Sequence, residues 1–225
     1  ELKFKKEALV YIDDDWRYSA NHWDAAVQQV YPGTTTLVDD PYTTNADDYK
    51  RRLALRNYES ILQTIHSSPS LLQFKSPDAY SYVFTHEIPV LNPQIGYYNF
   101  FDCSFANYTR NGYMAGKYIF ETDYGLAGVG STKTGSMLRF DIFYNLLRDM
   151  TMGESFQKWL DILGVDGYQL WERQWFYGMT LLGDPTIGPA TFPFSTSIPE
   201  PSTITLLCLG WGLLFGYLGR RRQGW

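Results

Sequence analysis

Histidine and cysteine are scarce in this chain of 225 residues: three of the first, His22, His66 and His86, and two of the second, Cys103 and Cys208. Cys208 lies inside an apolar stretch near the C-terminus and Cys103 in the middle of the polar part, so the two are not expected to pair, and an internal disulfide is excluded as a source of stability. A lone thiol reads either as a reactive residue, or one whose partner lies elsewhere, or as a buried free cysteine of the kind common in cores. No long basic stretch precedes the extreme C-terminus, and the net charge is −5. Nucleic-acid binding is thereby disfavoured, since phosphate contacts need grouped Lys and Arg. No EF-hand pattern, internal repeat or low-complexity segment is present, and no charged n-region followed by an apolar h-region opens the chain. The first residue is Glu1 rather than Met, and residues 1–6 lead straight into a buried-looking strand, so the sequence reads as a fragment of a longer protein.

What is present is a folding composition. Hydrophobic residues make up 44% and aromatics 17%, with Gly and Pro spread along the chain, enough for one domain with a real core over 1–190. Residues 191–202 read as a linker and 203–225 as a separate tail. The uncharged run 203–219, TITLLCLGWGLLFGYLG, has about the minimum length of a membrane-spanning helix. Arg220, Arg221 and Arg222 follow at once and favour a cytoplasmic end, which leaves the body outside the cytoplasm. Pro199 and Pro201, around Glu200, prevent a helix from running from the tail into the domain.

A Pro-Glu-Pro motif, an apolar helix and a terminal Arg cluster, in that order, resemble the PEP-CTERM sorting signal. That resemblance implies recognition by an exosortase-type membrane enzyme, cleavage near Pro199-Glu200-Pro201, and delivery from the inner membrane to the outer cell envelope of a bacterium. An ordinary C-terminal anchor has the same hydropathy.

In the body, the apolar run 8–12 (ALVYI) reads as a buried parallel strand closed by Asp13, Asp14 and Asp15. Residues 19–30 have helical spacing, with Trp23, Ala26, Val27 and Val30 on one face. A strand is expected at 35–38, then a helix through Leu55 with Thr44 and Asp47 as its capping box. Further strands are expected at 58–65, 96–102 and 126–130, and helices at 113–120, 137–147 and 154–163, followed by one last segment at 170–182. Residues 66–69 read as a Ser/Pro turn and 82–88 as irregular. Strands alternating with helices define an α/β fold with a mainly parallel sheet flanked by helices, plus the single C-terminal transmembrane helix. Ligands of such sheets sit beyond the carboxyl ends of the strands. Asp13 to Asp15, His66, Cys103 and Ser131 all fall at expected strand ends.

If the chain carries out Cys–His chemistry, its base is one of three histidines. His22 sits in a helix beside Trp23 and reads as a boundary residue; His86 falls in the irregular stretch next to Glu87. His66 ends an apolar strand, the placement that aims a base into the crevice. Cys103 ends another, shortly before a helix, and a helix N-terminus or a neighbouring imidazolium lowers a thiol pKa. The thiolate would attack an acyl carbon and His66 would protonate the leaving amine.

Four strings, IHSSPS (65–70), YYNFFDCSFANYT (97–109), GLAGVGSTKTGSM (125–137) and WFYGMTLLGDPTI (175–187), resemble in content and order the gingipain-type cysteine peptidase domain of the clan CD, caspase-like fold. The resemblance covers most of 8–187. It implies a caspase-like sheet, Cys103 as nucleophile, His66 as general acid/base, the backbone N–H groups of Ser67 and Cys103 as oxyanion donors, a peptide or protein substrate and no required cofactor. Ser67 stands where the family has Gly, and Ser104-Phe105 replace its small, Gly-containing turn. An exported cysteine endopeptidase and a non-catalytic envelope or matrix protein on a caspase-like scaffold are the two readings this leaves. Of Asp13, Asp14 and Asp15, one is a candidate to orient His66, to bind a structural Ca²⁺ or to select a basic side chain, and at least two read as solvated or capping residues. The metal content is otherwise open. Trp171, Trp175, Phe176 and Tyr177 read as core packing.

Overall fold

The computed structural model describes residues 4–189. The expected membrane helix and Arg cluster at 203–225, Cys208 and the Pro-Glu-Pro linker lie outside the described residues. Among the described residues no helix is long and apolar enough to cross a membrane.

Strand β1 (Ala8–Ile12) is buried at all five positions. Ala8, Val10 and Ile12 join one side of the core and Leu9 and Tyr11 the other, the alternation of a pleated strand covered on both faces. A 3₁₀ turn at Asp14–Ser19 leads to α1 (Ala20–Val27), which buries Ala20, Trp23, Ala26 and Val27 and ends three residues before the expected Val30. Strand β2 (Thr35–Val38) pairs parallel with β1. Helix α2 (Ala46–Leu55) is capped by Asn45, not Thr44: the Asn45 side chain accepts from the N–H groups of Asp47 and Asp48 at 3.0 and 2.9 Å. Thr44 is still part of the preceding turn, its hydroxyl donating to the Asp40 carbonyl at 3.0 Å. Strand β3 (Tyr58–Thr64) is wholly buried.

The region read as a Ser/Pro turn is instead the start of a second sheet. Strands β4 (His66–Ser68), β5 (Leu71–Ser76) and β6 (Ala79–Phe84) pair antiparallel in that order. Pro69 and Pro77 occupy the two connections, where a missing N–H and a fixed φ are tolerated. The stretch 82–88 read as irregular is instead the end of β6, a turn at Thr85 and His86, and the first two residues of helix α3 (Glu87–Leu91).

The aromatic run forms β7 (Ile95–Phe101), followed by α4 (Met114–Phe120), β8 (Ala127–Ser131), α5 (Phe140–Leu147) and α6 (Met152–Leu163). Segment 170–182 is not one element but two, helix α7 (Leu170–Phe176) and strand β9 (Met179–Gly183). The main sheet has the order β2-β1-β3-β7-β8-β9, parallel throughout except for β9. Helices α1, α5, α6 and α7 contribute to the core on one face and α2, α3 and α4 on the other. Trp159 is fully buried, its indole N–H satisfied by the Leu138 carbonyl at 2.7 Å. Of the four aromatics expected to pack in the core, Phe176 is buried and Trp175 is partly buried against the core beside Phe101, whereas Trp171 and Tyr177 are 60% and 70% exposed. A short helix on an outer layer has only one face to bury.

Candidate functional site

Because β1 has β2 on one side and β3 on the other, the crevice where the strand order reverses opens at the carboxyl ends of β1 and β3, and β7 lies next to β3. The register of β3 and β7 decides what meets there. Thr64 is opposite Phe101, the last pair of the ladder. Two residues further along each chain come His66 and Cys103, so equal offsets from one paired position deliver both to the same end of adjacent strands.

Two bonds carry the pairing past the last ladder position. Asp102 Oδ1 accepts from the Ile65 N–H at 3.0 Å, a side chain acting where the backbone ladder has ended. The Ser67 hydroxyl donates to the Cys103 carbonyl at 2.6 Å. Asp102 is buried, and its other oxygen accepts from Gln63 Nε2 at 2.5 Å. The chain continues through Gln63 Oε1, which accepts from the Tyr49 hydroxyl at 2.5 Å, to Tyr118 at 2.9 Å. Burial pushes the Asp102 carboxyl well above its ordinary pKa, with the Gln63 and Ile65 bonds opposing that shift.

His66 Nε2 donates to Asp15 Oδ2 at 2.9 Å, and the imidazole lies against Trp16, ring centroids 5.8 Å apart. The other Asp15 oxygen is held by Lys75 Nζ. The Lys75 bond is the first cause of a lowered Asp15 pKa and the His66 bond reinforces it, so Asp15 stays ionised. The three acidic residues after β1 therefore go three ways. Asp13 is not a solvated strand end: it is fully buried and accepts the Lys75 N–H through both oxygens, at 3.0 and 3.2 Å, and burial raises its pKa to about 6. Asp14 faces Arg17 across 3.9 Å. Among the described residues no group of three His, Cys, Asp or Glu side chains is placed to hold a metal ion.

A cleft of about 470 Å³ adjoins this arrangement, lined by Asp15, His66, Ser67, Gln73, Lys75 and Tyr80 among others. Cys103 is half-buried. Its sulfur accepts from the Gly135 N–H at 3.5 Å, and Ser104, next in sequence, adopts the left-handed conformation with φ +57°. Ser104 N–H donates to the Lys133 carbonyl at 2.8 Å and Ala106 N–H to the Ser131 carbonyl at 2.9 Å, which fixes the turn to the loop after β8. Gly135 is required there: its φ is +114°, and a Cβ would lie 1.8 Å from the Trp175 carbonyl oxygen. The Ser131 hydroxyl is engaged within that loop, donating to the Lys133 carbonyl at 2.8 Å. His22 and His86 are exposed, His86 stacked on Phe84 outside the crevice. Asp102, Lys75 and Gly135 escaped the sequence reading. The one signal for Asp102 is a charged residue closing a strand that is apolar and aromatic except at Asn99.

The fold is shared with solved cysteine proteinases. Gingipain R, described as Arg-specific, superimposes with a TM-score of 0.62 at 12% identity over 84% of this chain and 48% of its own. The complex of pro- and mature domains of RgpB from Porphyromonas gingivalis gives 0.60 at 14%, over 84% and 49%. A third structure, described only as a protease, gives 0.55 at 14%, over 84% and 49%. The chain thus spans about half the length of the solved structures it matches. Residues 197–223 match the PEP-CTERM protein-sorting motif, and Pro199, Glu200, Pro201, Arg220, Arg221 and Arg222 all fall inside the match. The motif indicates sorting to the cell envelope. No curated protein matches the chain.

Proposed function

We propose that residues 4–189 form a cysteine endopeptidase domain in which Cys103 is the nucleophile and His66 the general acid/base, exported and sorted by the C-terminal signal. The observation that carries the reading is the equal offset of His66 and Cys103 beyond the Thr64–Phe101 pair, on a sheet shared with gingipain R. The thiol proton passes to His66 Nδ1, the ring nitrogen not engaged by Asp15, and the thiolate attacks the scissile carbonyl carbon. Backbone N–H groups of Ser67 and Cys103 take the oxyanion. Collapse breaks the C–N bond, the amine leaves with the proton from His66, and a thioester remains. Water then attacks that thioester with His66 as base, releasing the acid and restoring the thiol. Asp15 holds the Nε2–H tautomer and balances the imidazolium. No required cofactor is part of this reading, nor is the structural Ca²⁺ left open by the acidic run.

The test is hydrolysis of a peptide library by the whole chain in detergent. Cys103→Ala is expected to abolish it; full activity in that variant overturns the reading. A non-catalytic scaffold is the second reading. It draws on Ser104 in the left-handed region, on Ser67 in the family's Gly position, and on the Cys103 sulfur having its described hydrogen bond with Gly135 rather than His66. Free-enzyme contacts of this kind tighten on substrate binding in many enzymes. Labelling of Cys103 by a thiol-reactive peptide probe, lost in His66→Ala, decides for catalysis.

For the tail, the reading extends to an exosortase-type membrane enzyme as processing partner, with 203–219 as the transient inner-membrane anchor. Replacing Arg220, Arg221 and Arg222 by Gln is expected to leave uncleaved, mis-sorted protein on fractionation. Normal processing of that variant would show that the Arg cluster is not read.

A further inference from the structure

A second cleft, of about 490 Å³, opens beside the loop that touches Cys103, lined by Lys133, Tyr168, Arg173, Gln174 and Tyr177. It joins two distant parts of the sequence, the loop after β8 and helix α7. Lys133 Nζ donates to the Thr134 carbonyl at 3.2 Å and to the Gln174 carbonyl, and Arg173 Nε donates to the Tyr168 carbonyl at 3.0 Å. These bonds hold both cations with uncharged acceptors. Lys133 and Arg173, like Arg110 and Lys158, have no ion-pair partner among the described residues, but these two line the same cleft. The nearby acid Glu172 is engaged in capping α7, accepting from the Gln169 N–H at 2.7 Å.

Two uncompensated cations, one on an aliphatic stem and one with a planar fork, make an arrangement that binds a carboxylate. The link to the nucleophile is short. The loop bearing Lys133 accepts the Ser104 N–H at the Lys133 carbonyl and donates the Gly135 N–H to the Cys103 sulfur. The cleft on the His66 side offers no matching site for a cation, since its one carboxylate, Asp15, is already shared by His66 and Lys75.

We propose that Lys133 and Arg173 form the subsite for an acidic substrate side chain close to the scissile bond; the proposal deepens the peptidase reading and rests on it. The substrate class is then an acidic peptide, unlike that of the Arg-specific neighbour in fold. The subsite is tested on the whole chain in detergent by site-resolved alkylation of Cys103 with iodoacetate and with iodoacetamide, reagents that differ by one negative charge. The ratio of their rates is expected to fall about fivefold in Lys133→Gln/Arg173→Gln, the loss of a local anion-concentrating field. Arg173→Gln alone, a change at an exposed position, is expected to give part of that fall. A C-terminally amidated peptide bearing Glu is expected to protect Cys103 in the unaltered chain, and its Gln counterpart is not. An unchanged ratio, or equal protection by the two peptides, overturns the subsite. Hydrolysis without any preference for acidic peptides overturns it too and leaves the peptidase reading standing. A charge-dependent ratio and Glu-specific protection without any hydrolysis support the anion subsite and remove the peptidase reading.

Discussion

Replacing Asp102 by Ala is expected to destabilise the domain by about 4 kcal/mol, whereas Asp102→Asn changes stability by less than about 1 kcal/mol. Alanine leaves the Ile65 N–H and Gln63 Nε2 buried without acceptors, and each such group costs about 1–3 kcal/mol. Asparagine keeps an oxygen for Ile65. Its amide faces Gln63, but Gln63 can turn over to present Oε1 to that amide and its NH₂ to the Tyr49 oxygen, with Tyr49 then donating to Tyr118. The network reverses direction without losing a bond. For a domain of this size the alanine loss corresponds to a melting temperature lower by about 10 °C. Equal losses in the two variants would show that Asp102 does not work through these bonds. The same buried carboxyls set a pH dependence. A carboxyl with a raised pKa stabilises the fold while protonated; that contribution is complete below the unfolded value of 3.8 and is lost as pH rises through the folded one. For Asp13, moved to about 6, the loss is about 3 kcal/mol, and the raised Asp102 adds in the same direction at higher pH. Urea midpoints are therefore expected to fall between about pH 4 and pH 7, with a flatter profile in Asp13→Asn. A flat profile in the unaltered chain would contradict the raised values.

His66→Ala is expected to lower kcat/KM by about 10³-fold, and Asp15→Asn by about 10²-fold, on any peptide the domain hydrolyses. The first removes the group that moves every proton in the cycle. The second leaves the ring in place but replaces its charged acceptor. The effect of Asp15 is set below that of a buried triad aspartate for two reasons: its side chain is 36% exposed, and Lys75 draws on the same carboxylate. Since Lys75 and His66 both lower the Asp15 pKa, the carboxylate is ionised across the working range, and its contribution fades only as pH falls through that lowered value. The loss in Asp15→Asn is accordingly expected to be constant from pH 6 to pH 8. A loss confined to the acid end would mean that Asp15 acts by titrating rather than by holding the ring.

Much of the main sheet was legible before folding, because a strand covered on both faces reads as a run of largely apolar residues. ALVYI at β1 carries that signature at every position and the aromatic run of β7 at all but Asn99. The second sheet was not legible: β4 is three residues long and runs into Pro69, so that 66–69 reads as a turn on local grounds, and β5 and β6 are six residues each and only partly buried. Segment 170–182 hid a helix and a strand because its apolar residues satisfy both periodicities over so short a span. Asp102 looked like the end of a strand, and only the three-dimensional neighbourhood shows it bonded to Ile65 and Gln63.

The sequence by itself determined the α/β alternation, the sorting motif and the two residues worth placing, since hydrophobic runs, a terminal motif and scarce reactive side chains are all local properties. The tertiary structure decided the rest. Strand register, which depends on partners far along the chain, sets His66 and Cys103 at equal offsets. The pairing of β1 with β3, which ends at Ile12 and Thr64, brings Asp15 to His66 and Asp13 into the core, a choice between neighbouring carboxylates that their shared chemistry leaves open and only burial and available donors resolve.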